Sequence, residues 1–325
     1  MSGMLLSCGD ALIDFLPVKS ADGRDALVPV VGGSLNVAVG IARLGASAGF
    51  VGGISTDLFG RMIAEHAQAS QVDMRYAARS SRQTTLAFVR VVDGEPQYAF
   101  YDEETAARHW IYRQGSMRFA EIDVIHVGST TLVDGRAAAQ TLGMIEEGRG
   151  STTISFDPNC RPALIGDRAE YVHRMDQFAA RADIVRLSDS DFTFLYGGSD
   201  YAGKAEALLA AGTGLFVITR GAQGAQAWHE KAGAIEVPAS AVDVVDTIGA
   251  GDSFQAGLLF ALRAMGRISA GPLARMTAHE LNRALAFAAA CAAFTCRRPG
   301  ADPPRLSEIG AGPVDALLGK WSAPS

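Results

Sequence analysis

Short, uninterrupted apolar runs recur along the chain, separated by longer stretches in which apolar positions return every three or four residues. The runs Met4–Cys8, Ala48–Gly52, Val124–Val127, Thr153–Asp157, Ile184–Leu187 and Leu215–Thr219 predict strands. The stretches Asn36–Leu44, Asp57–Gln68, Arg136–Glu147, Tyr171–Arg181, Tyr201–Ala211, Asp252–Met265 and His279–Phe294 predict helices. A strand without polar alternation is buried on both faces, and strands alternating with helices make a mostly parallel sheet with helices on either side. The expected class is α/β, a three-layer α/β/α sandwich.

Two segments break the rhythm. Residues 11–31 and 84–110 read as hairpins, the second with strands Thr85–Val92 and Gln97–Tyr101 around the turn Asp93-Gly94-Glu95-Pro96. Consecutive strands with no helix between them pair antiparallel, so these segments predict a small sheet protruding from the main one as a lid. No linker, low-complexity tract or long-period repeat interrupts the chain. One domain, residues 1–325, with a lid is the expected organisation.

Composition narrows the function classes. A formal net charge of -6 and the lack of Lys/Arg runs argue against a nucleic-acid or anionic-membrane partner. The N-terminus has no basic flank and carries Asp10 and Asp14, so it reads as a buried strand and not a signal peptide. The longest apolar stretch, Ala284–Cys296, is too short to span a bilayer. A soluble, cytoplasmic protein is expected. The four cysteines, at 8, 160, 291 and 296, form no CxxC pair and read as small core residues. The six histidines make no HExxH motif.

Chemistry concentrates in Asp246-Thr-Ile-Gly-Ala-Gly-Asp-Ser-Phe-Gln-Ala-Gly257, which follows the strand-like Val242–Val245 and opens a helix. Gly249 and Gly251 permit a sharp turn, after which the first amides of the helix have no internal partner. With the helix dipole they form an anion site. A carboxylate beside such a site would repel phosphate, so Asp252 makes sense as a base facing an attacking hydroxyl. A plain N-cap is the structural alternative. No GxxxxGK[ST] motif occurs, and no GxGxxG opens the first helix, which disfavours Walker-type NTPases and dinucleotide oxidoreductases.

Asp246–Gly257 resembles the C-terminal signature of the phosphofructokinase-B, or ribokinase-like, carbohydrate kinases, written DTxGAGD. Gly32-Gly-Ser-Leu-Asn-Val-Ala, Leu44-Gly45 and the Gly53, Asp57, Gly60 spacing resemble the N-terminal signature. The resemblance spans nearly the whole chain. It implies a ribokinase-like fold, ATP and Mg²⁺ as cofactors, and Asp252 as catalytic base beside an anion hole at Gly249, Ala250 and Gly251. It also implies sugar contacts from Asp14, Gly32, Gly33 and Asn36, although Asn36 could equally cap its helix. On the nucleotide side it implies Ser188, Thr219, Gly221, Gly224, Ala289 and Ala293. Asp191 replaces the family's usual Glu as a water-mediated Mg²⁺ ligand, and Asp246 resembles a monovalent-cation (K⁺) ligand. Arg161, in Asp157-Pro-Asn-Cys-Arg161, resembles a fructokinase-type substrate residue, with a structural ion pair as its alternative.

Asp102, Glu103 and Glu104 follow the lid strand and are expected near the mouth of the site, where they would oppose an acidic sugar. A neutral sugar is favoured, with Phe100 or Tyr101 covering it. Resemblance to bacterial fructokinases points to fructose. Ribose, a nucleoside, tagatose or 2-keto-3-deoxygluconate are the alternatives, and a catalytically silent sugar-binding regulator is the reading from another class. The resemblance also implies a homodimer through the lid.

Overall fold

The computed structural model describes residues 3–19, 25–92 and 95–318. Its strands are β1 (Met4–Cys8), β2 (Leu12–Lys19), β3 (Asp25–Gly32), β4 (Ala48–Ser55), β5 (Ala77–Ser80), β6 (Thr85–Val92), β7 (Glu95–Tyr101), β8 (Ile122–Val127), β9 (Thr153–Phe156), β10 (Ile184–Ser188), β11 (Leu215–Thr219), β12 (Ala225–His229) and β13 (Gly233–Val237). Its helices are α1 (Leu35–Arg43), α2 (Leu58–Ala69), α3 (Gly135–Gly148), α4 (Arg168–Ala179), α5 (Asp189–Tyr196), α6 (Tyr201–Ala210), α7 (Ala250–Ala264), α8 (Ala270–Ala274), α9 (Ala278–Thr295) and α10 (Ala311–Leu318).

Among the described residues, nine strands form the main sheet in the order β13-β12-β11-β10-β9-β8-β1-β4-β5. From β5 to β11 every neighbouring pair is parallel, while β11–β12 and β12–β13 are antiparallel. Successive residues point to opposite faces, as a pleated strand requires. Leu5, Val124 and Val217 join a core under α1, α7 and α9. Leu6, Ile125 and Ile218 join a second core on the side of α3, α4 and α6.

The first of these layers is the one that positions the site. A methyl group on Gly257 of α7 would lie 2.9 Å from Cys291 Sγ and 3.0 Å from Ala288 Cα of α9. One on Gly40 of α1 would lie 2.7 Å from Cβ of Ala256 in α7. These small residues let three helices approach more closely than larger side chains would permit.

Four strands form the lid, in the order β3-β2-β6-β7, with β2–β3 and β6–β7 antiparallel and β2–β6 parallel. Its base is tied down by Asp57. That carboxylate caps α2 through the Gly60 amide (2.7 Å) and also accepts from the Thr84 amide (2.9 Å) and hydroxyl (2.7 Å), just before β6 begins.

Some sequence expectations are corrected. Val242–Val245 is not a strand; it leaves the sheet after β13 and has no ladder partner, so Val244 and Val245 are each 62% exposed. The lid turn is shorter than expected, because Glu95 already pairs with Val92 and Pro96 with Val91. Asp93 and Gly94 lie outside the described residues. The edge strands β5 and β13, and β12 beside β13, are not legible in the sequence, since such short segments lack a long apolar run.

Gly257→Val overpacks the α7–α9 contact and should destabilise the fold by about 1–3 kcal/mol. Chemical denaturation checks this, and an unchanged midpoint would show that the helices have room to spare.

Candidate active site

The loop before α7 turns at Gly249, which has φ +74° and serves as the N-cap. A side chain here would meet Cβ of Ala301 at 2.6 Å, so both conformation and space call for glycine. Asp246 braces the turn from below, accepting the Ile248 amide (3.0 Å) on one oxygen and the Gly300 amide (2.8 Å) on the other. The Ala250 amide donates to the Thr247 carbonyl at 3.2 Å, which leaves the amides of Gly249 and Gly251 as the better placed donors for an anion.

Asp252 is the third residue of α7 and does not cap it. Its carboxylate accepts a hydrogen bond from Asn36 Nδ2 at 3.0 Å, across the α1–α7 contact. Asn36 does not cap α1 either, since that position belongs to Ser34. Its Oδ1 is buried and has no partner among the described residues. A buried acceptor left open beside a carboxylate fits a hydroxyl donor from a ligand.

These groups line a cavity of about 230 Å³, a volume suited to a small ligand. Asp10, Asp14 and Asp252 all face into it, together with Gly33, Tyr98, Phe100, Asn159, Arg161 and Arg186. Asp10 is held by the Ser34 amide (2.9 Å) and the Thr130 hydroxyl (2.5 Å). Burial pushes the Asp252 carboxyl up to about 6, with the Asp157 charge acting in the same sense and Asn36, Arg161 and Arg186 opposing. Burial also raises Asp14 to about 7, helped by the charges of Asp10 and Asp252 and opposed by Arg161. The cavity thus holds three carboxylates and two guanidinium groups.

Gly32 does not line the cavity, but a side chain there would collide with the Asp14 carboxylate. Its role is to leave that carboxylate room. Arg161 bonds the Asn159 side-chain oxygen (2.6 Å) and the Cys160 carbonyl (3.0 Å). No carboxylate among the described residues lies within ion-pair distance of it, so the structural ion pair is not formed.

Other expected residues lie elsewhere. Tyr101 is 63% exposed and packs edge-on against Phe88, because alternation along β7 turns Tyr98 and Phe100 inward and Tyr101 outward. The three carboxylates after β7 do not guard the mouth. Asp102 is buried and paired with Arg108, Glu104 pairs with Arg82, and none of the three lines the cavity. Asp191 also lies outside the lining and accepts the Cys160 amide at 3.0 Å, while Ser188 caps α5 through the Asp191 amide. Thr219, Gly221, Gly224, Ala289 and Ala293 lie outside the lining as well, at the end of β11, in the turn after it and on α9.

Tyr98, Asp10, Asn159 and Arg186 also line the cavity and are not among the residues the sequence singles out. Period two from Phe100 would have found Tyr98, and the quoted Asp157–Arg161 motif contains Asn159. Arg186 sits inside an apolar strand, where sequence offers no hint of a ligand.

Comparison with known proteins agrees with this arrangement. Residues 4–308 match the model of the pfkB family carbohydrate kinases. The chain is 37% identical over 261 residues to a fructokinase of Rhizobium leguminosarum bv. trifolii, covering 80% of each. It is 33% identical to fructokinase-1 of Oryza sativa subsp. japonica, covering 95% of this chain and 96% of that one. The crystal structure of a fructokinase with bound ATP from Xylella fastidiosa superposes with a TM-score of 0.87 at 28% identity, over 98% of this chain and 99% of that one. The fold is ribokinase-like, and the chain belongs to the pfkB family of carbohydrate kinases, phosphotransferases with an alcohol as acceptor.

Proposed function

We propose that this kinase transfers the terminal phosphoryl group of ATP to the primary hydroxyl of a neutral sugar, D-fructose, giving ADP and fructose 6-phosphate. The observation that carries the reading is the Asp252 carboxylate, oriented by Asn36 and set beside the amides of Gly249 and Gly251. The sugar hydroxyl lies between that carboxylate and the incoming phosphorus. As the new O–P bond forms and the bond to ADP breaks, Asp252 accepts the hydroxyl proton and the amides stabilise the phosphoryl oxygens. Asp14 and the open Asn36 oxygen accept sugar hydroxyls, and Arg161 donates to them. Tyr98 and Phe100 cover the site from the lid and exclude water.

Neutrality of the sugar now rests on residues other than those first expected. Three carboxylates and two guanidinium groups face the cavity, and this mix of acceptors and donors, with the open Asn36 oxygen, suits the several hydroxyls of a neutral sugar. Fructose itself is supported by the fructokinase relatives.

Residues outside the cavity belong to the nucleotide in this reading: Ser188, Thr219, Gly221, Gly224, Ala289 and Ala293. Among the described residues no group of three or more His, Cys, Asp or Glu could hold a metal. Mg²⁺ needs only one or two carboxylates beside phosphates and water, so it would enter with ATP, and Asp191, outside the cavity lining, is the carboxylate we assign to it through water. Asp246 is the carboxylate we assign to a monovalent cation such as K⁺, beside main-chain carbonyls of the loops it ties. A cytoplasmic location belongs to the same reading; among the described residues no helix is long and apolar enough to cross a membrane.

We further assign a homodimer through the lid, where Leu27 (50%) and Tyr101 stand exposed. Leu27→Asp should yield monomers in light scattering if the parent is a dimer, and a monomeric parent sinks the assignment.

A panel of fructose, ribose, tagatose, adenosine and 2-keto-3-deoxygluconate with MgATP, read by coupled ADP release, should give fructose the highest kcat/KM. In the same assay Asp252→Asn should lower kcat by about 10²–10⁴-fold with the fold intact. A parent that binds sugar but releases no ADP would instead favour a silent sugar-binding regulator.

Asp252 must be deprotonated to act, and its pKa is raised, so kcat should fall as pH drops through about 6. Asn36→Ala removes a hydrogen bond that favours the charged form and should move this acid limb to higher pH. A limb that stays in place means that another group sets it.

A further inference from the structure

We propose that Arg186 is a further catalytic residue, whose guanidinium meets the oxygens of the transferring phosphoryl group from beneath Gly251. The inference rests on the proposed location of phosphoryl transfer at the Gly249–Gly251 loop.

Arg186 lies in β10 and is 7% exposed, yet it lines the cavity together with Gly249, Gly251 and Asp252. A Cβ added to Gly251 would stand 3.2 Å from both Nη1 and Nη2. With no side chain at position 251, the guanidinium lies directly against the anion-binding turn. Its orientation is fixed from two neighbouring strands. Nη1 donates to Asp157 Oδ2, just after β9, at 2.5 Å, and Nη2 donates to Thr219 Oγ1, at the end of β11, at 2.5 Å.

A guanidinium has five N–H groups. Two are accounted for by Asp157 and Thr219, and Nε is buried without a partner among the described residues. Each terminal nitrogen therefore keeps one N–H that no described protein group takes. A planar fork with free donors suits two oxygens of a phosphoryl group.

The electrostatics agree. Burying an Arg–Asp pair contributes little to stability, because desolvation offsets the attraction, and apolar side chains of similar volume would serve the fold as well. Asp157 neutralises the resting guanidinium, so the site does not hold a bare buried charge before the nucleotide arrives. Asp157 is itself steadied by the Asn159 amide at 3.1 Å. It is a positioning residue in this scheme, and Arg186 is the group that touches the reacting atoms. Charge developing on the phosphoryl oxygens then meets a cation already desolvated and aimed, which needs no reorganisation during transfer.

Arg186→Lys keeps the charge and loses the fork. We expect a thermal midpoint close to the parent's, a sugar KM within about a factor of three of it, and kcat lower by about 10²–10³-fold. A folded Arg186→Lys enzyme with parental kcat overturns the proposal. So does an effect on sugar KM alone. The parent protein supplies a second arm that holds whatever the variant's folding. A crystal structure with ADP, aluminium fluoride and the most active sugar of the panel should place a fluoride about 3 Å from Arg186 Nη1 or Nη2. A mimic seated on the Gly249 and Gly251 amides with Arg186 out of reach overturns this inference and leaves the proposed function standing. A mimic bound away from those amides overturns the proposed function itself.

Discussion

The molecule is organised around one demand, that a carboxylate remain chargeable while shielded from water. Burial disfavours the charged form of Asp252, and its pKa of about 6 is set against that by the groups around it. The Asn36 amide and the two arginines nearby pull in the charging direction, and each arrives on a different element. Asn36 comes from α1, Arg186 from β10 and Arg161 from the loop after β9. Nothing local to α7 could supply them. The close approach of α1 and α7 is therefore an electrostatic requirement as much as a packing one.

The same demand explains the glycines and alanines. Small residues at the α1–α7 and α7–α9 contacts bring helix axes together, and that sets the reach of Asn36 to Asp252. Gly249 lets the chain turn sharply enough to point amides at the ligand, while Asp246 locks the turn to the loop at Gly300. The lid is anchored in similar fashion: Asp57 holds Thr84 and the start of α2 with a single carboxylate.

How much of this the sequence disclosed depended on the kind of signal. Buried parallel strands such as Leu215–Thr219 announce themselves by apolar character alone; the limits of Met4–Cys8 and Leu215–Thr219 match, while the other expected strands of the parallel sheet are off by one to three residues at an end. The turn at Gly249–Asp252 was legible because two glycines and a carboxylate at a helix opening place a base beside an anion site; the alternative, an N-cap at Asp252, is removed by Gly249 holding that position. Val242–Val245 misled because apolar composition does not reveal whether a neighbouring strand edge exists. Asp102, Glu103 and Glu104 misled because charge in a sequence comes without its partners; Arg108 and Arg82 neutralise two of them. Of the expected pair Phe100 and Tyr101, only Phe100 faces the cavity, because neighbours along a strand point to opposite faces and Tyr98 shares the face of Phe100. Arg186 could not be seen at all, since its meaning comes from Asp157 and Thr219 on adjacent strands.

The two cores flanking the sheet carry unequal burdens. On one side, α1, α7 and α9 bear Asn36 and Asp252, so any loosening of that layer is felt by the reactive groups before the chain unfolds. On the other, the aromatic-rich layer of Phe156, Phe178 and Phe216 supports the sheet at a distance. Sequence drift should therefore run at different speeds on the two sides. The aromatic layer can exchange one bulky side chain for another and keep turnover, whereas the layer of small residues has almost no substitutions to spend.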